Sequence, residues 1–230
     1  MSEQPLVTGT GSLDPAWGGT TRTEPRWPAS LAVVATLLLY VSLPNALTVG
    51  PTWVMPALVA MLVVPLSFAA PHRYHGEPEW QGYVAIALIA IVNLGNVGSI
   101  VLLVHALLHG SSLTGQVLLV ESLKIWLTNV LIFGLWYWEL DRGGPDERTI
   151  PDHREPDFLF PQMSTPGCTK SYWSPGFIDY LYLALTNATA FSPTDTLPLT
   201  PMAKSLMGIQ SLASLLTVAL IASRAVNILH

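Results

Sequence analysis

The chain has 230 residues, of which 50% are hydrophobic and only 11% charged, with a formal net charge of −5. That charged share is less than half of the roughly 25% typical of soluble domains, so the composition excludes a water-soluble globule and describes an integral membrane protein. The acidic balance and the lack of a basic cluster argue against nucleic-acid binding and strong attachment to anionic lipid, and the lone Cys168 leaves neither an intrachain disulfide nor a thiolate metal cluster.

Met1 to Arg26 is rich in Gly, Thr, Pro and Ser and has no apolar stretch, so it reads as a disordered polar tail, extending to residue 28, and not as a signal peptide. Beyond it, Ala29–Pro71, Gln81–Val120 and Ser205–Ser223 contain no Asp, Glu, Lys or Arg. Each run can hold a spanning helix, which needs about 20 apolar residues. These runs predict an all-α protein with five transmembrane helices. The first covers about Ala29–Leu47 and the second about Thr52–Ala70, a hairpin broken at Asn45, Gly50 and Pro51. Gln81–Leu108 is a long third span that must tilt or protrude. The fourth, Leu113–Leu140, ends in Trp136, Tyr137 and Trp138, aromatics suited to the membrane interface. The last is Met202–Leu229. In domain terms, residues 29–110 carry three transmembrane helices, 111–141 a fourth, 142–175 a polar loop and 176–230 the carboxy-terminal module.

The loop from Asp141 to Ser174 holds most of the charge, and Phe158, Leu159, Phe160, Tyr172 and Trp173 give it apolar anchors against the membrane surface. Phe177–Ala190 follows, helical in length but too short to span, with Pro175-Gly176 marking its start and Ser192-Pro193 its end. Residues 186–204 then form a hydroxyl-rich hinge broken by prolines. At bilayer depth, non-helical backbone is tolerated only when it is buried in protein or lines a watery cavity, so this pattern predicts a re-entrant helix before the last span.

From Leu185 to Lys204 the chain resembles, without a gap, the pore region of tetrameric potassium channels. Ala188-Thr189 falls on the end of that family's pore helix, and Asp195 on the aspartate that closes its Thr-Thr-Val-Gly-Tyr-Gly-Asp filter. Pro198, Thr200 and Lys204 fall on the residues leading into its inner helix. Asp179-Tyr180-Leu181-Tyr182, Thr186, Thr189, Ser192, Thr194-Asp195 and Ala225-Val226-Asn227 are also similar to uncharacterised bacterial multi-pass membrane proteins, some labelled channel-like. The resemblance implies that residues 111–141 form an outer-type helix and 176–230 a pore helix, a filter-like loop and an inner helix, assembled as a homotetramer in a bacterial cell membrane. It concerns about the last third of the chain, with the fourth span at most.

Ser192 and Thr194, with Pro193 between them, stand where the potassium filter has its two glycines, and proline and β-branched threonine resist the backbone angles that turn carbonyl oxygens inward. Potassium selectivity by a carbonyl ladder is therefore not expected. Monovalent cations would instead meet the hydroxyls of Thr186, Thr189, Ser192 and Thr194 and a ring of Asp195 carboxylates. The alternative is a non-conducting structural or interaction protein with a degenerate pore-loop fold, in which Asp195 or Thr200 simply caps the last helix.

Glu121 and Lys124 are the one charged pair inside a predicted span, at i,i+3 spacing, and form the intramembrane ion-pair candidate. Asn93, Asn96, Thr128 and Asn129 read as hydrogen-bonding glue between helices. His105 and His109 sit at i,i+4 without a nearby third ligand, and no catalytic triad or phosphate loop stands out, so neither enzymatic activity nor a cofactor is expected. Basic residues cluster in the tail, at Arg73 and in the loop, which by the positive-inside rule puts that side in the cytoplasm. A potassium-channel pore loop enters from outside, so the two orientation signals conflict.

Overall fold

The computed structural model describes residues 24–58, 80–109, 113–149, 154–165, 173–189 and 195–229. Among them the chain is mostly helical. The helices are α1 (Trp27–Val41), α2 (Trp80–His109), α3 (Gly115–Leu140), α4 (Phe177–Thr189) and α5 (Pro201–Leu229), joined by single turns and a two-residue antiparallel pair, β1 (Phe158–Leu159) with β2 (Leu197–Pro198).

Three stretches, Gly82–His109, Gly115–Gly143 and Pro201–Val226, are long and apolar enough to cross a membrane. They coincide with the third, fourth and last spans expected from the sequence. The expected first span is shorter: α1 has 15 residues, about 22 Å at 1.5 Å per residue against a hydrocarbon core of about 30 Å. Proline is the reason. Leu43 precedes Pro44, which disfavours helical backbone there, and the chain turns through Asn45–Leu47 instead. Of the expected second span, Thr52–Ala70, helix is present at residues 54–58 and the rest lies outside the described residues.

The centre of the bundle is α3, which packs against α1, α2, α4 and α5. Its membrane-length window is 56% buried, compared with 39% for that of α2 and 17% for that of α5. Thr114 caps it, its hydroxyl accepting from Val117 N at 3.4 Å. The core that joins α3 to α4 and the loop is aromatic: Tyr137 meets Phe158 edge-on at 5.1 Å, and Phe160 meets Tyr180 at 5.4 Å. Phe158 and Phe160 are thus core residues, buried at 1% and 3% exposure, where the sequence suggested anchors on the membrane surface. Charge in the neighbouring chain hides an apolar segment that folds inward.

Close approach of α3 and α4 depends on Gly134. A Cβ there would lie 3.2 Å from the Leu181 Cα, a backbone atom that cannot turn aside, and small residues are the usual means of bringing membrane helices together. Gly134→Leu is expected to cost about 1–3 kcal/mol through overpacking. Gly208→Ala, where a new Cβ meets nothing within 4 Å, serves as the control. Thermal unfolding of both variants in detergent checks this; equal stability would show that the α3–α4 contact is not tight.

Candidate functional site at the α4 hinge

Helix α4 is short and one-sided. Phe177, Tyr180, Leu183, Ala184 and Ala188 recur at helical spacing and are buried, whereas Ile178, Tyr182 and Leu185 are exposed. Its buried face is clasped between α3 and α5. At its start, free amides are met by carboxylates: Asp179 Oδ2 accepts from Gly176 N at 2.8 Å, and Glu24 Oε1 accepts from Phe177 N. This is a favourable place for negative charge.

At its end, Asn187 is held from three directions. Its Nδ2 donates to Gln210 Oε1 at 2.7 Å and to the Met207 carbonyl at 3.0 Å, and lies 3.3 Å from the Tyr137 hydroxyl. Ser211 Oγ donates to Asn187 Oδ1 at 3.0 Å. Gln210 completes the hub by accepting from Tyr137 and donating Nε2 to the Ala184 carbonyl at 2.8 Å. One turn further along, Asn129 donates to Ser214 Oγ at 2.9 Å. Since 137 pairs with 210 and 129 with 214, α3 and α5 run antiparallel across a polar seam.

The far limb of the hinge is fixed by a buried ionic cluster. Thr200 Oγ1 donates to Asp157 Oδ1 at 2.6 Å, while Leu199 N donates to the Asp157 carbonyl at 2.8 Å. Asp157 N in turn donates to Asp141 Oδ1 at 2.8 Å, and Asp157 Oδ2 accepts from Arg142 N at 3.1 Å. Asp141 Oδ2 accepts from the Tyr180 hydroxyl and lies 3.1 Å from Arg142 Nε. Arg148 Nη1 reaches the carbonyls of Trp138 and Asp141, Nη2 reaches Glu24, and the guanidinium lies over the Tyr180 ring at 5.4 Å. Asp141, Arg142, Arg148 and Tyr180 are all fully or almost fully buried. Burial opposes the charge on Arg148, but Tyr180, Asp141 and Glu24 outweigh it and raise its pKa. Burial raises Tyr180 well above the usual phenol range, so it stays a donor to Asp141. The turn that makes this possible bends through positive φ at Arg142 (58°), Gly143 and Gly144.

These contacts bracket residues 190–194. Of the hinge residues singled out from the sequence, Ser192 and Thr194 lie outside the described residues. Thr186 Oγ1 donates to the Tyr182 carbonyl at 2.9 Å and Thr189 Oγ1 to the Thr186 carbonyl at 3.0 Å, so both hydroxyls bond within α4. Asp195 is exposed just past the bracketed segment. Thr200 is the α5 cap, its hydroxyl accepting from Ala203 N at 3.3 Å. Glu121 and Lys124 form their ion pair at 2.9 Å, and Lys124 also donates to the Ser42 carbonyl at the end of α1. His105 and His109 stack with ring centroids 4.3 Å apart on an exposed face, and among the described residues no group of three His, Cys, Asp or Glu side chains is placed to hold a metal.

Sequence reasoning missed Gln210, Tyr137, Glu24 and the Asp141–Arg142–Arg148–Asp157 cluster. Gln210, Ser214 and Thr217 at i,i+4,i+7 were a visible polar stripe on α5. The cluster had no periodic signal, because its members come from separate turns. Comparison with protein families, with curated proteins and with solved structures found no match to this chain.

Two outcomes test the bracket. Removing the Asp141 carboxylate leaves buried guanidinium groups uncompensated, so Asp141→Ala is expected to lose about 3–5 kcal/mol in detergent unfolding. A loss below one kcal/mol would mean that water reaches the cluster. For the hub, a double-mutant cycle of Asn187→Ala and Gln210→Ala is expected to give a coupling of about 0.5–1.5 kcal/mol; additive effects would dissolve the hub into independent contacts.

Proposed function

We propose that this chain is a channel-like, multi-pass protein of a bacterial cell membrane that passes monovalent cations through a homotetrameric pore. In this reading α3 is the outer helix, α4 a re-entrant pore helix, residues 189–195 the pore loop and α5 the inner helix. Five spans and the re-entrant entry belong to the same proposal. One observation supports it above the others: a 13-residue helix wedged between two membrane-length helices, with its end and the far side of the following loop both fixed by buried polar contacts. A filter needs this kind of support, because a loop that coordinates ions must be held by its surroundings and not by its own backbone bonds. The helix points its partial negative end at the loop, and Asp195 adds a carboxylate just beyond it. Ser192-Pro193-Thr194 supports cation passage without potassium selectivity.

The orientation conflict also eases. Arg142 and Arg148 are buried in the ionic cluster, and Arg26 pairs with Asp146, so these charges belong to a folded segment and count for little in the positive-inside balance.

A second reading, a non-conducting structural or interaction protein with a degenerate pore-loop fold, is favoured by the hydroxyls of Thr186 and Thr189, which bond to carbonyls of their own helix. Flux separates the two. Purified protein in liposomes is expected to pass sodium and potassium with little discrimination, and Asp195→Ala to lower that flux about tenfold or more by removing the charge that concentrates cations at the mouth. No flux under any gradient, or flux unchanged by Asp195→Ala and Thr189→Ala in a verified tetramer, overturns the channel reading in favour of the structural one.

A further inference from the structure

Glu24 belongs to the chain before α1, yet it makes contacts in three other elements. Its Oε2 accepts from Trp138 Nε1 on α3 at 2.9 Å and from Arg148 Nη2 in the loop at 3.3 Å, and its Oε1 accepts from Phe177 N at the start of α4. Arg26, two residues on, pairs with Asp146. The segment is thereby strapped across the N-terminus of the hinge helix. Gly176 leaves room for it: a Cβ there would stand 3.2 Å from Glu24 Oε1 and 3.9 Å from Asp179 Oδ2.

That geometry puts two carboxylates on consecutive amides, Asp179 on Gly176 N and Glu24 on Phe177 N. Like charges sharing one site do not both ionise freely. The groups facing the pair are unequal. Arg148 answers Glu24 directly, while Arg142, Asp141 and Tyr180 lie behind Arg148 in the cluster and Arg26–Asp146 lies outside it. For Asp179, burial raises the pKa, the Gly176 amide lowers it, and the Glu24 charge raises it again.

We propose that Glu24 is a pH-sensitive strap, fastened across the N-terminus of α4 while Asp179 is neutral and released when Asp179 ionises beside it. The sign follows from the acid's raised pKa. The stabilisation is fully present below the usual carboxylate range and is lost as pH rises through the higher value of the folded state. Release frees the amino-terminal segment from the helix that supports the hinge, so the chain carries a device by which pH acts on α4. The strap rests on the contacts of Glu24 and on the carboxyl of Asp179 beside it, and holds whether or not the protein conducts.

A nitroxide on the exposed position Pro25→Cys, in full-length protein with Cys168→Ser, reads the strap by electron paramagnetic resonance without a pH-dependent reagent. The label is expected to be immobile in acid and increasingly mobile as the pH is raised. Asp179→Asn, which still accepts from Gly176 N, is expected to keep it immobile throughout, and Glu24→Gln to leave it mobile at both ends. A label whose mobility ignores pH in the parent protein, or an Asp179→Asn variant that follows the parent curve, overturns the proposal. Asp179→Asn decides the matter even if Glu24→Gln fails to fold.

Discussion

The exit side of the hinge hangs on one buried carboxylate. Asp141 sits at the last turn of α3, and its two oxygens and its carbonyl receive the Asp157 amide, the Tyr180 hydroxyl and the Arg148 guanidinium. Three stretches of chain, the end of α3, the 142–160 loop and α4, therefore converge on one side chain. A buried charge is costly unless it is paired, and here the pairing gives the loop its shape, although the guanidinium of Arg142 meets Asp141 as an ion pair with no hydrogen bond among the described residues. Asp141 shares Arg148 with the Trp138 carbonyl and Glu24, and its bond to the Asp157 amide sets the next residue, Phe158, at the aromatic core.

The hinge is held differently at its two ends. Its entry, at Asn187, rests on neutral amide and hydroxyl groups of α3 and α5, which remain hydrogen-bonded across a wide pH range. Its exit rests on the Asp157 carboxylate and, behind it, on the ionic cluster. Neutral glue suits the depth of a bilayer, where an unpaired charge costs several kcal/mol, and ionic contacts suit the boundary, where water and headgroups can meet what the protein does not.

How much of this was legible in the sequence depended on whether the signal was periodic. The third, fourth and last spans were found within two residues or so because charge-free apolar runs of that length have few alternatives. α4 was found because Pro175-Gly176 and Ser192-Pro193 punctuate its two ends. α1 was overestimated: the apolar run continues past Val41 to Leu47, but Pro44 ends the helix first, and hydropathy does not register backbone geometry. Asn187 was visible only as one residue of the polar hinge, since nothing in its neighbours shows that Gln210 lies opposite. The charged loop was the hardest case. Asp141, Arg142, Arg148 and Asp157 look like solvated residues of a surface segment, and only the fold sets the Asp157 amide on the Asp141 carboxylate from 16 positions away.

The pair of strands at the hinge exit has a mechanical side. Pro198 stands opposite Phe158 and has no amide proton to give, so the ladder cannot lengthen or gain strength from that position. What remains is Asp157, which receives both the Leu199 amide on its carbonyl and the Thr200 hydroxyl on its carboxylate. Asp157 thus ties the loop to the start of α5 through both its backbone and its side chain. Two turns further along, Met207 and Gln210 are tied to Asn187, so the same helix is joined to the loop at its cap and to α4 in its body.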